Sequence, residues 1–228
     1  MSTETVEATL PGGIIVRQIR NPTEKQIVES GEICAQLMKS DGAALALSGG
    51  DPELIEMMVR LVVRACVLEG NYYAATNEKG EILGYSAVMP KGKELFATEE
   101  QRNLGLNEYM SRLSEEAKEY YKKVYMAEFP GFVGECLAPF KMVDVWWTHH
   151  LMVRPEYQRR GIGTALIRLS ESQALAAGDT VAIGATKQVN ADIYSRLGYK
   201  VRGHKSMKSP WVDWEMWILR LEPDNNEK

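Results

Sequence analysis

The sequence predicts a mixed α/β fold, and three observations carry that expectation. Residues 143–153 are dense in β-branched and aromatic side chains, apolar on both parities, as in a strand covered on both faces. Arg154-Pro155 then breaks the run, because proline donates no ladder hydrogen bond and biases its predecessor toward extended geometry. A basic, glycine-containing turn over 158–164 follows, with Ala165, Leu166, Leu169, Gln173 and Ala176 at helical spacing behind it. The next strand, 180–185, and another short helix make the stretch strand–helix–strand–helix.

A strand, a basic glycine turn and a helix N-terminus together form an anion site. Glycines let the backbone approach closely, and the free amides and helix dipole face negative charge. Two nucleotide readings fit poorly. A Walker A loop needs Gly-Lys-Ser/Thr after four intervening residues, and no such run occurs. The dinucleotide fingerprint needs a third glycine, where Leu166 stands, and an acid after the next strand, whereas Asp179 precedes it.

The stretch resembles the GNAT superfamily of acetyl-CoA-dependent N-acetyltransferases. Gln158-x-x-Gly161-x-Gly163 is similar to that family's pyrophosphate turn. Asn190, Tyr194 and Leu197-Gly198-Tyr199 stand in the order and spacing of its second pattern. The resemblance implies the GNAT fold: a mixed, mostly antiparallel central sheet of about seven strands flanked by helices. It also implies acetyl-CoA as cosubstrate, with no metal. The main chain of Leu151 and Val153 would hold the pantetheine arm, and Gln158, Arg159, Arg160, Gly161, Gly163 and Thr164 the pyrophosphate. Asn190 would hold the arm or an ordered water.

Composition sets bounds. A chain of 228 residues with 45% hydrophobic and 25% charged residues suits one well-buried domain, which we take to span 1–228. The net charge of −4 gives no support to a nucleic-acid partner, although Arg154, Arg159 and Arg160 cluster beside the turn. Cys34, Cys66 and Cys136 are widely spaced and odd in number, reading as reduced structural residues. No secretory signal or membrane-length apolar run is visible, so cytoplasm is the default location and no membrane partner is expected.

In chain order, residues 1–12 read as a polar leader and 14–20 as a first strand. Asn21-Pro22-Thr23-Glu24 starts a helix to about Ser40. Residues 41–50 are small and read as a loop. Asp51-Pro52 opens a helix with Leu54, Met58, Leu61, Val62 and Ala65 on its packing face, ending near Gly70. Residues 71–76 and 82–89 form a hairpin around 77–80. Residues 90–142 are an insertion relative to a minimal family member, expected as one amphipathic helix over 99–126 and a packed irregular segment over 129–140. Residues 200–205 and 212–221 pair as a last hairpin, and 222–228 form an acidic tail expected to be disordered.

Acyl transfer to an amine needs a neutral amine, a donor for the oxyanion, and a proton for the departing thiolate. Tyr194 occupies the family position of that acid. His149 is the candidate base: alternation along a strand puts Trp147, His149, Leu151 and Val153 on one face, one step from the donor-binding residues. His150, facing the other way, reads as a core residue. Trp146, Trp147, Phe129, Phe132, Trp211 and Trp214 are candidates for an acceptor pocket, and Glu135, Asp144, Asp213 and Glu215 for its ammonium partner. The leading function is acetyl transfer to the primary amine of a small molecule in a ternary complex. The alternatives are a protein acetyltransferase, for lysine or an N-terminus, and a CoA-binding module without turnover; a homodimer stays open.

Overall fold

The computed structural model describes residues 7–223. Its strands are β1 (Glu7–Leu10), β2 (Ile14–Gln18), β3 (Asn71–Thr76), β4 (Ile82–Met89), β5 (Trp146–Val153), β6 (Val181–Ala185), β7 (Lys200–Met207) and β8 (Trp214–Leu221). They make one sheet in the order β1-β2-β3-β4-β5-β6-β8-β7. Every pair is antiparallel except β5 with β6, so the mostly antiparallel GNAT-type sheet expected from the sequence is present, with eight strands. The extra strand is β1, which pairs with β2 inside the stretch read as a leader.

The helices before β5 are α1 (Glu24–Met38), α2 (Gly42–Leu47), α3 (Pro52–Glu69), α4 (Glu99–Asn103), α5 (Leu106–Arg112), α6 (Glu115–Tyr120) and α7 (Met126–Leu137). After β5 come α8 (Ile162–Ala176) and α9 (Gln188–Arg196). On one face of the sheet α1 and α3 pack over β3 and β4, burying Tyr72, Tyr85, Ala87 and Met89. Farther along that face, α2, α6 and α7 pack over β6 and β8, around Trp147, Trp214, Met216 and Ile218. The opposite face is covered by α8 and α9, against Leu83, Val88, Ile183 and Leu219.

Four local expectations are corrected. Residues 42–47 are helical because Asp41 caps them: Oδ1 accepts the amides of Ala43 (3.1 Å) and Ala44 (3.3 Å), and an alanine-rich run propagates the turn. The helix over 99–126 is broken. Gly105, at φ +138°, separates α4 from α5, and extended Leu113 leads into Ser114, whose hydroxyl caps α6. The segment 129–140 is largely helical despite Pro130, which lies in α7 directly after a wide π-type turn, Tyr121–Tyr125. Such a turn loosens the ladder next to a residue that cannot donate to it. Met142–Asp144 is a 3-10 turn, so β5 begins at Trp146. All three cysteines are free and buried. Of the acidic tail, 224–228 lie outside the described residues.

Candidate active site

The site begins where the sheet splits. β5 and β6 pair only at Trp146↔Val181, Trp147↔Ala182 and Thr148↔Ile183. Beyond that point β5 continues to Val153 beside β4, and β6 to Ala185 beside β8, leaving a gap between them. Gly184 lies in the middle of the sheet and is exposed, as a residue beside an open gap would be. The amide of Arg154 bonds Leu83 on the β4 side (2.9 Å). Because amides alternate along a strand, those of Leu151 and Val153 face away from β4, into the gap.

A β-bulge accompanies the split. Ala87 pairs with His150 and Val88 with Thr148, so His149 is the extra residue of β5. The bulge overturns the simple alternation. Leu151 and Val153 pack with α8, whereas Trp147 packs on the opposite face with Trp214 and Met216. His149 keeps company with Trp147, at 6.4 Å between ring centroids. His150 shares a hydrogen bond with the Tyr85 hydroxyl through Nδ1 at 3.1 Å. Burial pushes the His149 imidazole down to about 3, assisted by its neighbour His150, and pushes His150 down to about 4. Both rings are therefore neutral at pH 7.

The strand feeds the basic turn. Gln158 donates its side-chain amide to the Val153 carbonyl (3.0 Å), so this residue braces the turn. Arg159 adopts φ +62°, and Arg160 lies over the Tyr157 ring at 5.1 Å. Both arginines and Thr164 are exposed. Gly161, at φ +82°, is the N-cap of α8 and offers no side chain to its first amides. An anion could take those donors. The two glycines differ. Gly161 is required by its backbone angle, but Gly163 has ordinary helical geometry, and a Cβ there would meet only Val153 Cγ2, at 3.7 Å. Nothing inside the protein demands a glycine at 163.

On the far side of the gap stands α9. Tyr194 is 8% exposed and packs with Leu151, Ala185 and Trp217. Burial pushes its phenol up to about 12, which keeps it protonated at neutral pH. Its hydroxyl makes no hydrogen bond among the described residues. Asn190 lies one turn earlier, partly buried.

The opposite face holds a feature that the sequence reading missed. Asp41, 1% exposed, takes the Thr186 hydroxyl on Oδ2 at 2.7 Å, with Lys187 Nζ at 3.8 Å. Thr186 directly follows β6, so Asp41 ties the start of α2 to the open end of the β6 arm. The Asp-Gly-Ala-Ala run was a legible N-cap signal, but its partner lies 145 residues away. The acids proposed for the ammonium are less suitable: Glu135 and Asp213 are exposed, and Asp144 and Glu215 bond Lys141 N and His204. Among the aromatics, Trp146 packs on the α8–α9 face. Trp147, Trp214, Trp211, Phe129 and Phe132 gather on the other side with Tyr120 and Tyr125. No group of three or more potential metal ligands occurs among the described residues. No helix among them is long and apolar enough to cross a membrane.

Comparison with known proteins gives the same fold. Residues 120–201 match the family described as acetyltransferase (GNAT) domain. No curated protein matches the sequence. Arylalkylamine N-acetyltransferase 2 from Aedes aegypti is 16% identical with a TM-score of 0.61, covering 92% of this chain and 98% of that one. Drosophila melanogaster polyamine N-acetyltransferase, which forms N-acetylagmatine, is 18% identical with a TM-score of 0.57, covering 92% and 99%. A histone acetyltransferase HPA2 and related acetyltransferase from Corynebacterium glutamicum is 14% identical with a TM-score of 0.55, covering 89% and 93%. At such identities the likeness carries the fold.

Proposed function

We propose that the chain, whose residues 120–201 match an acetyltransferase (GNAT) domain, moves acetyl from acetyl-CoA to the primary amine of a small molecule by direct transfer in a ternary complex. One observation carries the reading. β5 parts from β6 after Thr148 and turns unpaired amides toward a helix N-terminus that no side chain caps. A pantetheine arm lying between β5 and β6 bonds the amides of Leu151 and Val153 as an added strand would. Its diphosphate then meets the first amides of α8, with Arg159 and Arg160 beside it and Gly163 giving room. Asn190 faces the arm from α9.

The transfer follows from these positions. The neutral amine attacks the thioester carbonyl carbon, and the C–S bond breaks as the tetrahedral intermediate collapses. Tyr194, a protonated phenol, supplies the proton for the departing thiolate. His149, a neutral imidazole at the bulge, bonds the amine or an ordered water and passes the released proton on to solvent, since burial leaves it too weak a base to hold that proton. The small-amine reading rests on the 90–142 segment, part of the same domain, whose α6 and α7 cover the β6–β8 half of the sheet with aromatic side chains. An enclosed acceptor side suits a small molecule, whereas a peptide needs an open groove. Solved structures of the same fold named for arylalkylamine and polyamine acetylation support that choice.

The test is release of free CoA thiol from acetyl-CoA with a panel of polyamines, agmatine, arylalkylamines and lysine peptides, with the acetylated product weighed by mass spectrometry. Amine-dependent release with a small acceptor is expected. Turnover on peptides alone would assign a protein acetyltransferase, and donor binding without any transfer would assign a non-catalytic module.

A further inference from the structure

A buried carboxylate on α8 has no part in the transfer chemistry above. Glu171 stands in the middle of that helix, 1% exposed. Arg168, one turn earlier, donates Nη1 to Glu171 Oε2 at 2.8 Å and Nη2 to the Leu197 carbonyl at 3.0 Å. The amide of Leu197 in turn bonds the Tyr194 carbonyl (3.0 Å), as does that of Tyr199 (3.1 Å). The rings of Tyr194 and Tyr199 lie 6.0 Å apart, tilted by 54°. The Tyr199 hydroxyl and Glu171 Oε1 are both buried and lie beside one another without reaching hydrogen-bond geometry. Through Arg168 and Tyr199 the carboxylate thus touches both ends of the turn that follows Tyr194. Gly198, at φ +101°, makes that turn tight.

Stability does not ask for this acid. Burial raises the Glu171 carboxyl above its ordinary value, against the pull of Tyr199 and Arg168. A carboxyl raised on folding lowers stability as pH rises through its folded value, so the ionised form costs stability at neutral pH. Its partner Arg168 is 50% exposed, which weakens the compensating attraction.

We propose that Glu171 and Arg168 are positioning residues for Tyr194: they fix the Leu197-Gly198-Tyr199 turn and through it the seating of α9, which sets where the phenol meets the leaving sulfur. The inference rests on Tyr194 as proton donor. Buried polar groups that cost stability persist where they serve function, and a misplaced catalytic group loses rate steeply with distance.

The experiment is a double-mutant cycle of Glu171→Gln with Tyr194→Phe, read by kcat, acetyl-CoA affinity from calorimetry and Tm. Glu171→Gln is expected to keep or raise Tm, to leave donor affinity within about twofold, and to lower kcat about tenfold. In the Tyr194→Phe background it should cost nothing further. Full kcat in Glu171→Gln, a lowered Tm that accounts for the whole loss, or two effects that multiply would overturn this inference while leaving Tyr194 its role. Full kcat in Tyr194→Phe would remove the proton-donor reading and this inference with it. If Glu171→Gln does not fold, Arg168→Met, at a half-exposed position, carries the same cycle.

Discussion

The two sides of the cleft are built by different means. On the α8–α9 side, the gap is walled by main chain: the unpaired edge of β5, exposed Gly184, and the uncapped amides of α8. On the α2–α7 side, side chains packed on one another cover the sheet. Tyr125 stacks on Phe129 at 4.9 Å, Tyr120 meets Trp211 edge-on at 5.8 Å, and the Trp214 indole donates to the Tyr120 hydroxyl at 3.1 Å. A main-chain wall recognises a ligand common to many proteins, because amides are the same whatever the sequence. An aromatic layer is particular to its chain, and in the proposed reaction it is the side that would meet the acceptor.

The largest effect expected concerns Tyr194, the side chain proposed as proton donor. Tyr194→Phe should lower kcat by about 10²–10⁴-fold with little change in donor affinity, as for a group acting mainly in the transition state. Equal kcat in steady-state assays would reduce Tyr194 to packing and leave the donor side with no chemical role.

The contrast also explains what was legible in the sequence. Gly161 and Gly198 are written into the chain because backbone angles of +82° and +101° demand them, so the proposed donor side is legible by spacing. The aromatic side is not. Residues 129–140 read as irregular because they are aromatic and rich in Gly and Pro, yet α7 carries Pro130 inside it, after a π-type turn. The bulge at His149 was invisible as well, since no residue type requires it, and it reversed the face assigned to Trp147. Asp41 carried a local cap signal, but its bond to Thr186 depends on the folded sheet.

Next in size is the glycine that the free protein does not need. Gly163→Val should fold normally, since a Cβ meets only Val153 at 3.7 Å, yet weaken acetyl-CoA by about tenfold or more in calorimetry. Wild-type affinity would detach the phosphates from this turn. Gly203→Ala probes the other wall. A Cβ at that position would sit 2.3 Å from Cys136 Sγ and 3.1 Å from the Phe132 ring, so α7 must shift on β7. Overpacking of this kind costs about 1–3 kcal/mol, and chemical denaturation should show it. The acceptor KM should change more than the donor KM; the reverse would mean that α7 does not shape the acceptor side.

The smallest effects concern pH. His149 and His150 are held neutral by burial, at about 3 and about 4, below the ordinary 6.5. As pH falls the unfolded chain takes up these protons first. The histidines' contribution is therefore whole above about pH 6.5 and is lost as pH falls toward the folded values. Tm against pH should decline below about 6.5, and His150→Gln should flatten that decline. For the same reason kcat/KM should show no acidic limb from His149 near pH 6–7, although His149→Gln lowers it. An acidic limb there that disappears in the mutant would place the imidazole in a more open setting than the bulge gives it.

Amide hydrogen exchange with and without acetyl-CoA tests most directly whether main chain holds the donor. Slowed exchange is expected at Leu151 and Val153 on β5 and at Ile162, Gly163 and Thr164 in the first turn of α8, with the aromatic wall around Tyr125 and Phe129 unchanged until an amine is added. Acetyl-CoA bound at saturation with exchange unchanged at those five amides, or slowed at the aromatic wall instead, would contradict the account.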